Sequence, residues 1–321
     1  MRVVFFGSPD YALPTLRSLL AHADIEIVAV VTQPPRPRGR NGTPEPTPVG
    51  ALAAEVGITT FTPERIRRDT TAMIAALHPD VGVLAASGHL LPTHMLEAFP
   101  HGVLNVHASL LPRHRGASPV AAAILDGDAE AGASIMVVVR ELDAGPVVSR
   151  VTTAIDPLDT AGTLTDRIAV LGAREMLEVL PGWVAGTRTA EPQDKTQTSY
   201  APKLAKPDGV IDWSRDAESL WRQVRAFEPW PLATTSYAGS TLTIHEAWPL
   251  SLTSSEPPGT VIASDQLLDA AVHGDRLAVA VVICGSGALA LLNVQRAGKR
   301  ALDIEEYVRG DRGFVGARLG A

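Results

Sequence analysis

Apolar residues along this chain follow two rhythms, and the change between them divides it. Residues 2–6, 25–31, 80–86 and 133–139 are short, nearly unbroken apolar runs rich in β-branched types, the pattern of strands buried on both faces. Between the runs the apolar positions recur at helical spacing. One helix is expected from about Pro14, with Leu16, Leu19 and Leu20 on one face, and others around 49–56 and 63–77. Strand, helix, strand from the first residues onward predicts a doubly wound α/β sheet. The runs 133–139 and 146–153 are joined too closely for a crossover helix, so antiparallel pairing is expected there. A long helix is expected over 160–186, broken near Pro181-Gly182. Further on, Ser214 is expected to cap a helix bearing Leu220, Trp221 and Val224. From there to about 294, short strands separated by Gly, Pro and Asp turns predict a small β-barrel. The expected domains are 1–189 and 209–321, joined by a polar, proline-containing linker over 190–208.

Two stretches break these rhythms. Residues 32–48 are proline-rich and basic, carrying Arg36, Arg38 and Arg40, and are long for a connection inside a compact domain. They are expected to lack regular structure, to be mobile, and to suit phosphate groups. The second stretch, Val103 to Pro119, starts as a strand that carries Asn105 and His107 near its downstream end. Two residues apart on a strand, they project from one face, at the end of the sheet where open α/β folds bind ligands. Taken alone, this stretch also reads as a strand end whose polar residues are hydrogen-bonded into a turn. Ser87-Gly88-His89-Leu90-Leu91-Pro92 follows another buried strand in the same way. Its Leu-Leu-Pro can line a pocket for a flat ligand or pack as a turn.

Composition narrows the picture. A chain of 321 residues has room for about two domains. Its formal charge of −7 argues against a general nucleic-acid binder, although local basic patches remain available. The apolar start stops at Gly7-Ser8-Pro9-Asp10, too early for a secretory or membrane segment, and the lone Cys284 excludes an internal disulfide. A cytoplasmic protein is expected. The first strand-to-helix loop holds one glycine where a dinucleotide fingerprint needs three.

Asn105 and His107 can donate hydrogen bonds to a carbonyl oxygen that becomes an oxyanion. Asp143, in the turn after a neighbouring strand, is the best third partner, either orienting His107 or shuttling a proton. No nucleophile completes the set, because Ser109 has no G-x-S-x-G elbow around it. His101, His107 and His114 share no ligand spacing, so no metal is expected. Acyl transfer to a substrate amine fits this set best.

Asn105-Val-His107, Ser109-Leu-Leu-Pro112, Arg115-Gly116 and Leu142-Asp143-Ala-Gly145 together resemble the folate-dependent formyltransferases. The resemblance implies a Rossmann-like formyltransferase domain and an OB-like second domain. It further implies 10-formyltetrahydrofolate as cosubstrate and Asn105, His107 and Asp143 as the catalytic residues. By the same resemblance, folate lies against Ser87, Gly88, His89, Leu90, Leu91 and Pro92, and Ser109, Leu110, Leu111 and Pro112 are assigned to that site. Gly7-Ser-Pro-Asp-Tyr-Ala, the insert after Thr32-Gln-Pro, Gln193-Asp, Ile211-Asp-Trp213, Arg225-Ala-Phe-Glu-Pro-Trp-Pro231 and Ala297-Gly-Lys299 extend the likeness over nearly the whole length. They point to the two-domain branch that acts on initiator methionyl-tRNA in translation initiation. The second domain is then tRNA-binding, with Arg36, Arg38, Arg40, Lys203, Lys206, Arg296, Lys299 and Arg300 as tRNA contacts. A sugar-nucleotide N-formyltransferase using the same donor is the alternative reading, and a folate- or RNA-binding module without catalysis is a third. The chain is expected to act as a monomer away from membranes.

Overall fold

The computed structural model describes residues 1–37, 42–263 and 279–320. The chain divides into two compact units, one of residues 1–120, 129–154 and 164–202, the other of residues 121–128, 155–163 and 203–321.

The first unit is built on a seven-stranded sheet. In chain order its part of the molecule contains β1 (Arg2–Gly7), α1 (Leu13–Leu20), β2 (Glu26–Val31), β3 (Arg36–Pro37), β4 (Pro44–Glu45), α2 (Pro48–Glu55) and β5 (Thr60–Phe61). Next come α3 (Arg68–Ala75), β6 (Val81–Ala85), α4 (Thr93–Leu96), β7 (Val103–His107) and β8 (Arg115–Gly116), and then α5 (Pro119–Asp126), whose residues from 121 onward belong to the other unit. They are followed by β9 (Glu130–Val137), β10 (Val147–Ala154), α6 (Ala161–Val184) and β11 (Tyr200–Ala201). The strand order is β10-β9-β7-β6-β1-β2-β5. Pairing is parallel from β7 through β5, and antiparallel for β7 with β9 and for β9 with β10. The Rossmann-like sheet and the antiparallel edge are both as the apolar runs predict. Val4, Phe6, Ala29, Val31, Ile74, Met95, Phe99 and Val103 form one buried cluster. Their alternate residues on β1 and β2 face one side of the sheet because side-chain direction reverses at each strand residue. The ring centroids of Phe6 and Phe99 lie 5.9 Å apart, edge to face.

Several local expectations are corrected. The 32–48 segment carries a two-residue antiparallel pair, Arg36 with Glu45 and Pro37 with Pro44, and its last residue begins α2. Pro48 sits at the first helical position, where its missing N–H costs nothing, and Thr47 accepts from the Gly50 N–H as the cap. Residues 38–41, in the middle of the stretch expected to be mobile, lie outside the described residues. The helix expected from residue 63 begins only at Arg68, which leaves 63–67 as a loop. Pro181 does not break the long helix. It falls within the last turn of α6, the Ala185 N–H still reaches the Pro181 carbonyl, and Trp183 donates to the His101 carbonyl at 2.8 Å. A single lost hydrogen bond so near a helix end leaves little helix to disrupt.

The second unit holds α7 (Ala217–Ala226), β12 (Ala233–Tyr237), β13 (Ser240–Leu250), β14 (Val261–Ala263), β15 (Ala280–Ile283), β16 (Ala288–Arg296), β17 (Leu302–Asp303) and α8 (Ile304–Gly310). Its smaller, curled antiparallel sheet runs β12-β13-β16-β15-β14, with β17 against β16. Two register shifts in β13 opposite β16 bend the sheet. The helix cap is Asp216, which accepts from the Ser219 N–H, and not Ser214, whose hydroxyl donates to Asp212 instead. Leu220 and Val224 of α7 join Trp213, Leu242, Ile244, Leu289, Leu291 and Phe314 in the buried core.

Candidate active site

The carboxyl ends of β6 and β7 and the turn after β9 converge on one cavity of about 710 Å³. Strand β7 sits between β6 and β9, with Asn105 in register with Leu84 on one side and Met136 on the other, and His107 opposite Ser134. Both polar side chains are buried. Asn105 lines the cavity, together with Leu84, Met136, Val138 and Asp143. Its Oδ1 is buried and has no hydrogen-bond partner among the described residues. Buried polar atoms are rarely left unpaired, because each costs about 1–3 kcal/mol. A carboxamide can present either its oxygen or its NH₂ by turning over, so this group can meet a ligand as acceptor or donor.

His107 stands one layer behind. Its Nε2 lies 3.1 Å from the His114 carbonyl. A carbonyl only accepts, so Nε2 carries the proton and the tautomer is fixed. Nδ1 then faces Asp143 Oδ1 at 3.8 Å, beyond direct hydrogen-bond reach. The other carboxylate oxygen, Oδ2, accepts from the Gly116 N–H at 2.8 Å. Asp143 holds a left-handed backbone with φ of 48°, unusual for a side chain other than Asn, Asp or Gly. Two residues on, a Cβ at Gly145 would sit 1.8 Å from the Val137 carbonyl oxygen, so the loop closes against β9 only with glycine there.

The remaining lining separates the expected folate residues into two groups. Ser87, Gly88, His89, Leu90, Leu91 and Pro92 all line the cavity. His89 Nε2 donates to the Pro63 carbonyl at 2.9 Å, and its Nδ1 lies 3.2 Å from Ser87 Oγ. The loop is thereby tied to residues 63–66, and Glu64, Arg65 and Ile66 supply the facing wall. Ser109, Leu110, Leu111 and Pro112 are outside the lining. They form the turn beneath it: Ser134 Oγ donates to the Ser109 carbonyl at 2.6 Å and accepts from the Leu111 N–H at 3.0 Å, and Ser109 Oγ reaches the Arg113 carbonyl at 2.7 Å. Val139 and Arg140 also line the cavity and were not singled out in the sequence, as does Leu142, which was quoted there only within the motif around Asp143. They read there as a strand end and a polar turn, with no local signal of a ligand.

The basic residues expected to meet tRNA fall in both units. Arg38 and Arg40 lie outside the described residues. Arg36, in the first unit, is 3.9 Å from Glu64 across an exposed surface pair, a contact of small energetic weight. In the second unit Lys203 and Lys206 are exposed. Arg296 ends β16 and Lys299 and Arg300 follow in the turn after it; Arg296 lies 3.8 Å from Asp311 and Arg300 pairs with Glu306. Among the described residues no group of three or more His, Cys, Asp or Glu side chains is placed to hold a metal, and no helix is long and apolar enough to cross a membrane.

The size of the cavity is within the range of about 300–1,000 Å³ usual for small-molecule sites. Leucine, valine and isoleucine walls suit a flat ring system, the Asn105 carboxamide supplies an unpaired polar atom inside, and Arg65 and Arg140 offer cations to an anionic tail. These features fit a folate. A doubly wound domain with an Asn, His and Asp set beside such a cavity is the arrangement that the resemblance to formyltransferases implies. The formyl transferase family model matches residues 1–180, and the model for the formyl transferase C-terminal domain matches residues 203–312. The methionyl-tRNA formyltransferase of Methylococcus capsulatus is 42% identical over 321 residues, covering 100% of both chains. This chain belongs to the methionyl-tRNA formyltransferase family. Its fold is also similar to WlaRD, a sugar 3N-formyltransferase crystallised in the presence of dTDP and 5-N-formyl-THF, with a TM-score of 0.62 and 15% identity over 94% of this chain and 99% of that one. HypX from Aquifex aeolicus in complex with tetrahydrofolic acid matches with a TM-score of 0.61 and 17% identity over 98% of this chain, which spans 48% of that longer protein.

Proposed function

We propose that this protein transfers the formyl group of 10-formyltetrahydrofolate to the free amino group of methionine on initiator methionyl-tRNA. The observation that carries the chemistry is the unpaired Asn105 carboxamide, buried in a cavity that Asp143 also lines. The donor supplies a formyl carbon already joined to a nitrogen that can leave. Asn105, turned to present its NH₂, donates to the formyl oxygen as negative charge develops on it. Asp143 Oδ1, free of the Gly116 bond that occupies Oδ2, takes up the proton released by the attacking amine and delivers a proton to the folate nitrogen as its bond to the formyl carbon breaks. His107 acts through Asp143. Its Nε2 is committed to the His114 carbonyl, so Nδ1 is the position that exchanges a proton with the carboxylate. Leu84, Leu90, Leu91, Ile66 and Val138 exclude water from the donor's ring system.

The catalytic machinery lies within residues 1–189, residues 190–208 link the two domains, and residues 209–321 bind tRNA. Arg36, Arg38 and Arg40 with Lys203, Lys206, Arg296, Lys299 and Arg300 supply the phosphate contacts, which depend on where cations cluster rather than on net charge. The protein works in the cytoplasm as a monomer. The full-length 42% identity to a methionyl-tRNA formyltransferase supports the tRNA acceptor over an amino-sugar nucleotide, because the likeness to sugar formyltransferases is one of fold. Incubation with 10-formyltetrahydrofolate and either charged initiator tRNA or an amino-sugar nucleotide tests the assignment. Formylmethionyl-tRNA is the expected product. Formyl transfer to the sugar alone would overturn the acceptor, and transfer to neither would leave a binding module.

A further inference from the structure

The segment that follows the long helix has no apolar periodicity and reads in the sequence as a spacer. In the structure it runs along both loops that hold the proton-transfer pair. Gln193 Nε2 donates to the Asp143 carbonyl at 2.8 Å and to the Gly145 carbonyl at 2.7 Å. Its Oε1 accepts from Arg115 Nε at 3.0 Å and Nη2 at 2.8 Å, and Arg115 is buried. Only one orientation of the carboxamide satisfies this arrangement, since a flipped amide would set donors against the guanidinium and an acceptor against two carbonyls. Six residues later, Ser199 Oγ accepts from the His114 N–H at 2.9 Å, and the His114 carbonyl is the partner of His107 Nε2. Tyr200 and Ala201 then pair in parallel with Arg115 and Gly116, and the Gly116 N–H is the donor to Asp143 Oδ2. A Cβ on Gly116 would lie 2.5 Å from the Ala201 carbonyl oxygen, so the two segments are as close as backbones allow.

We propose that residues 193–201 are an active-site brace, with Gln193 and Ser199 as positioning residues that set the separation between His107 and Asp143. Gln193 fixes the backbone that carries Asp143 in its left-handed conformation; Ser199 Oγ holds the His114 N–H, and the Ser199 carbonyl accepts from the Arg115 N–H at 2.9 Å, on the peptide whose carbonyl anchors His107. The 3.8 Å gap between Nδ1 and Oδ1 is therefore maintained from outside the pair, by a segment 50 residues away in sequence from Asp143. This inference rests on the assignment of Asp143 as the proton acceptor.

The test compares Gln193→Glu, Ser199→Ala and Asp143→Asn in the full chain, with steady-state kinetics, pH profiles of kcat and thermal unfolding. Glu at 193 keeps an acceptor for Arg115 but presents oxygen to two carbonyls, so it releases the loop while retaining the buried link. The expected result for Gln193→Glu is a kcat lowered by roughly tenfold or more, the scale of losing one or two hydrogen bonds. KM for the folate donor should stay within about twofold, and the pH profile of kcat should shift, because a displaced carboxylate changes proton exchange and leaves ground-state binding intact. Ser199→Ala should move the same readouts less. Folded variants at both positions with wild-type kcat and pH profile, differing only in unfolding temperature, would overturn the brace. Should Gln193→Glu fail to fold, Ser199→Ala decides by the same criterion. If Asp143→Asn retains normal turnover, the assignment of Asp143 falls and the brace with it. A crippled Asp143→Asn beside normal Gln193→Glu and Ser199→Ala overturns the brace alone.

Discussion

Among the described residues, a histidine–carboxylate pair in the first unit and one in the second are built in opposite ways. In the second unit His245 Nδ1 is 2.9 Å from Glu228 and Nε2 is 3.0 Å from Gln295, so both ring nitrogens are engaged at hydrogen-bond distance. In the first unit His107 has one nitrogen fixed on a carbonyl, while the other faces Asp143 across 3.8 Å. The closed pair is a finished structural contact whose ring has no free position left to react. The open pair keeps one nitrogen and one carboxylate oxygen available, and other groups hold each partner in place. An unpaired Asn105 oxygen beside the open pair points the same way. Polar groups left short of partners mark where a substrate completes the hydrogen bonding.

The strongest way to break this comparison is to remove the open pair's charge while keeping its shape. Asn tolerates a left-handed backbone, and its amide oxygen can still accept from the Gly116 N–H, so Asp143→Asn should fold. Loss of a positioned proton acceptor should lower kcat on the order of a thousandfold, within the range of general acid–base contributions. Turnover within about tenfold of wild type would reduce the open pair to a structural feature like the closed one. Asn105→Ala comes next. Removing one oxyanion donor costs about 2.7–4 kcal/mol, so kcat should fall by roughly a hundredfold or more. The same substitution also removes a buried unpaired atom, so the unfolding temperature should not fall with the activity.

How far the site could be read from sequence follows from which contacts are local. Strand alternation put Asn105 and His107 on one face, and the loop after β6 was legible because Leu90-Leu91-Pro92 directly follows a buried run. Asp143 was within reach because its turn follows a strand that neighbours β7. Gln193 was not legible in its role, since its contacts are with main-chain carbonyls 48 and 50 residues away and carbonyls have no side-chain signature. The Asp216 cap was missed for a different reason. Ser214 and Asp216 are both good caps two residues apart, and only the geometry shows that Asp212 has already taken the Ser214 hydroxyl. Dividing the expected folate residues needed the structure as well. Leu111 is as apolar as Leu91, yet it is buried with Met136 and Val147 beneath the cavity.

Exposure sharpens the contrast between the units. The second unit encloses a cluster of three aromatic rings, with Phe314 5.1 Å from Tyr237 and 5.0 Å from Tyr307. The first leaves Leu90, a residue lining the cavity, 84% exposed. If the donor covers it, burial of a leucine side chain is worth about 1.5–3 kcal/mol at most. Leu90→Ser should then raise KM for the donor by roughly tenfold, with kcat nearly unchanged, since uniform binding is lost and transition-state contacts are kept. An unchanged KM would mean that Leu90 stays in solvent when the donor binds.

The smallest expected effect belongs to the closed pair, and it concerns stability alone. The hydrogen bond to Glu228 raises the His245 imidazole above its ordinary value, partial burial opposes this, and Gln295 adds to the rise. A group whose affinity for a proton is higher in the folded state stabilises the fold fully below its unfolded value of about 6.5. That contribution is lost as pH rises through the raised, folded-state value. Wild-type protein should therefore gain less from His245 at alkaline pH than at pH 6. His245→Gln should lower the unfolding temperature at pH 6 and converge toward wild type as the pH increases, with kcat unaffected at either end. The opposite trend, a variant that loses more stability at high pH, would show that the imidazole is held neutral. The closed pair would then owe its stability to a neutral hydrogen bond, and the contrast with His107 would rest on distance and not on charge.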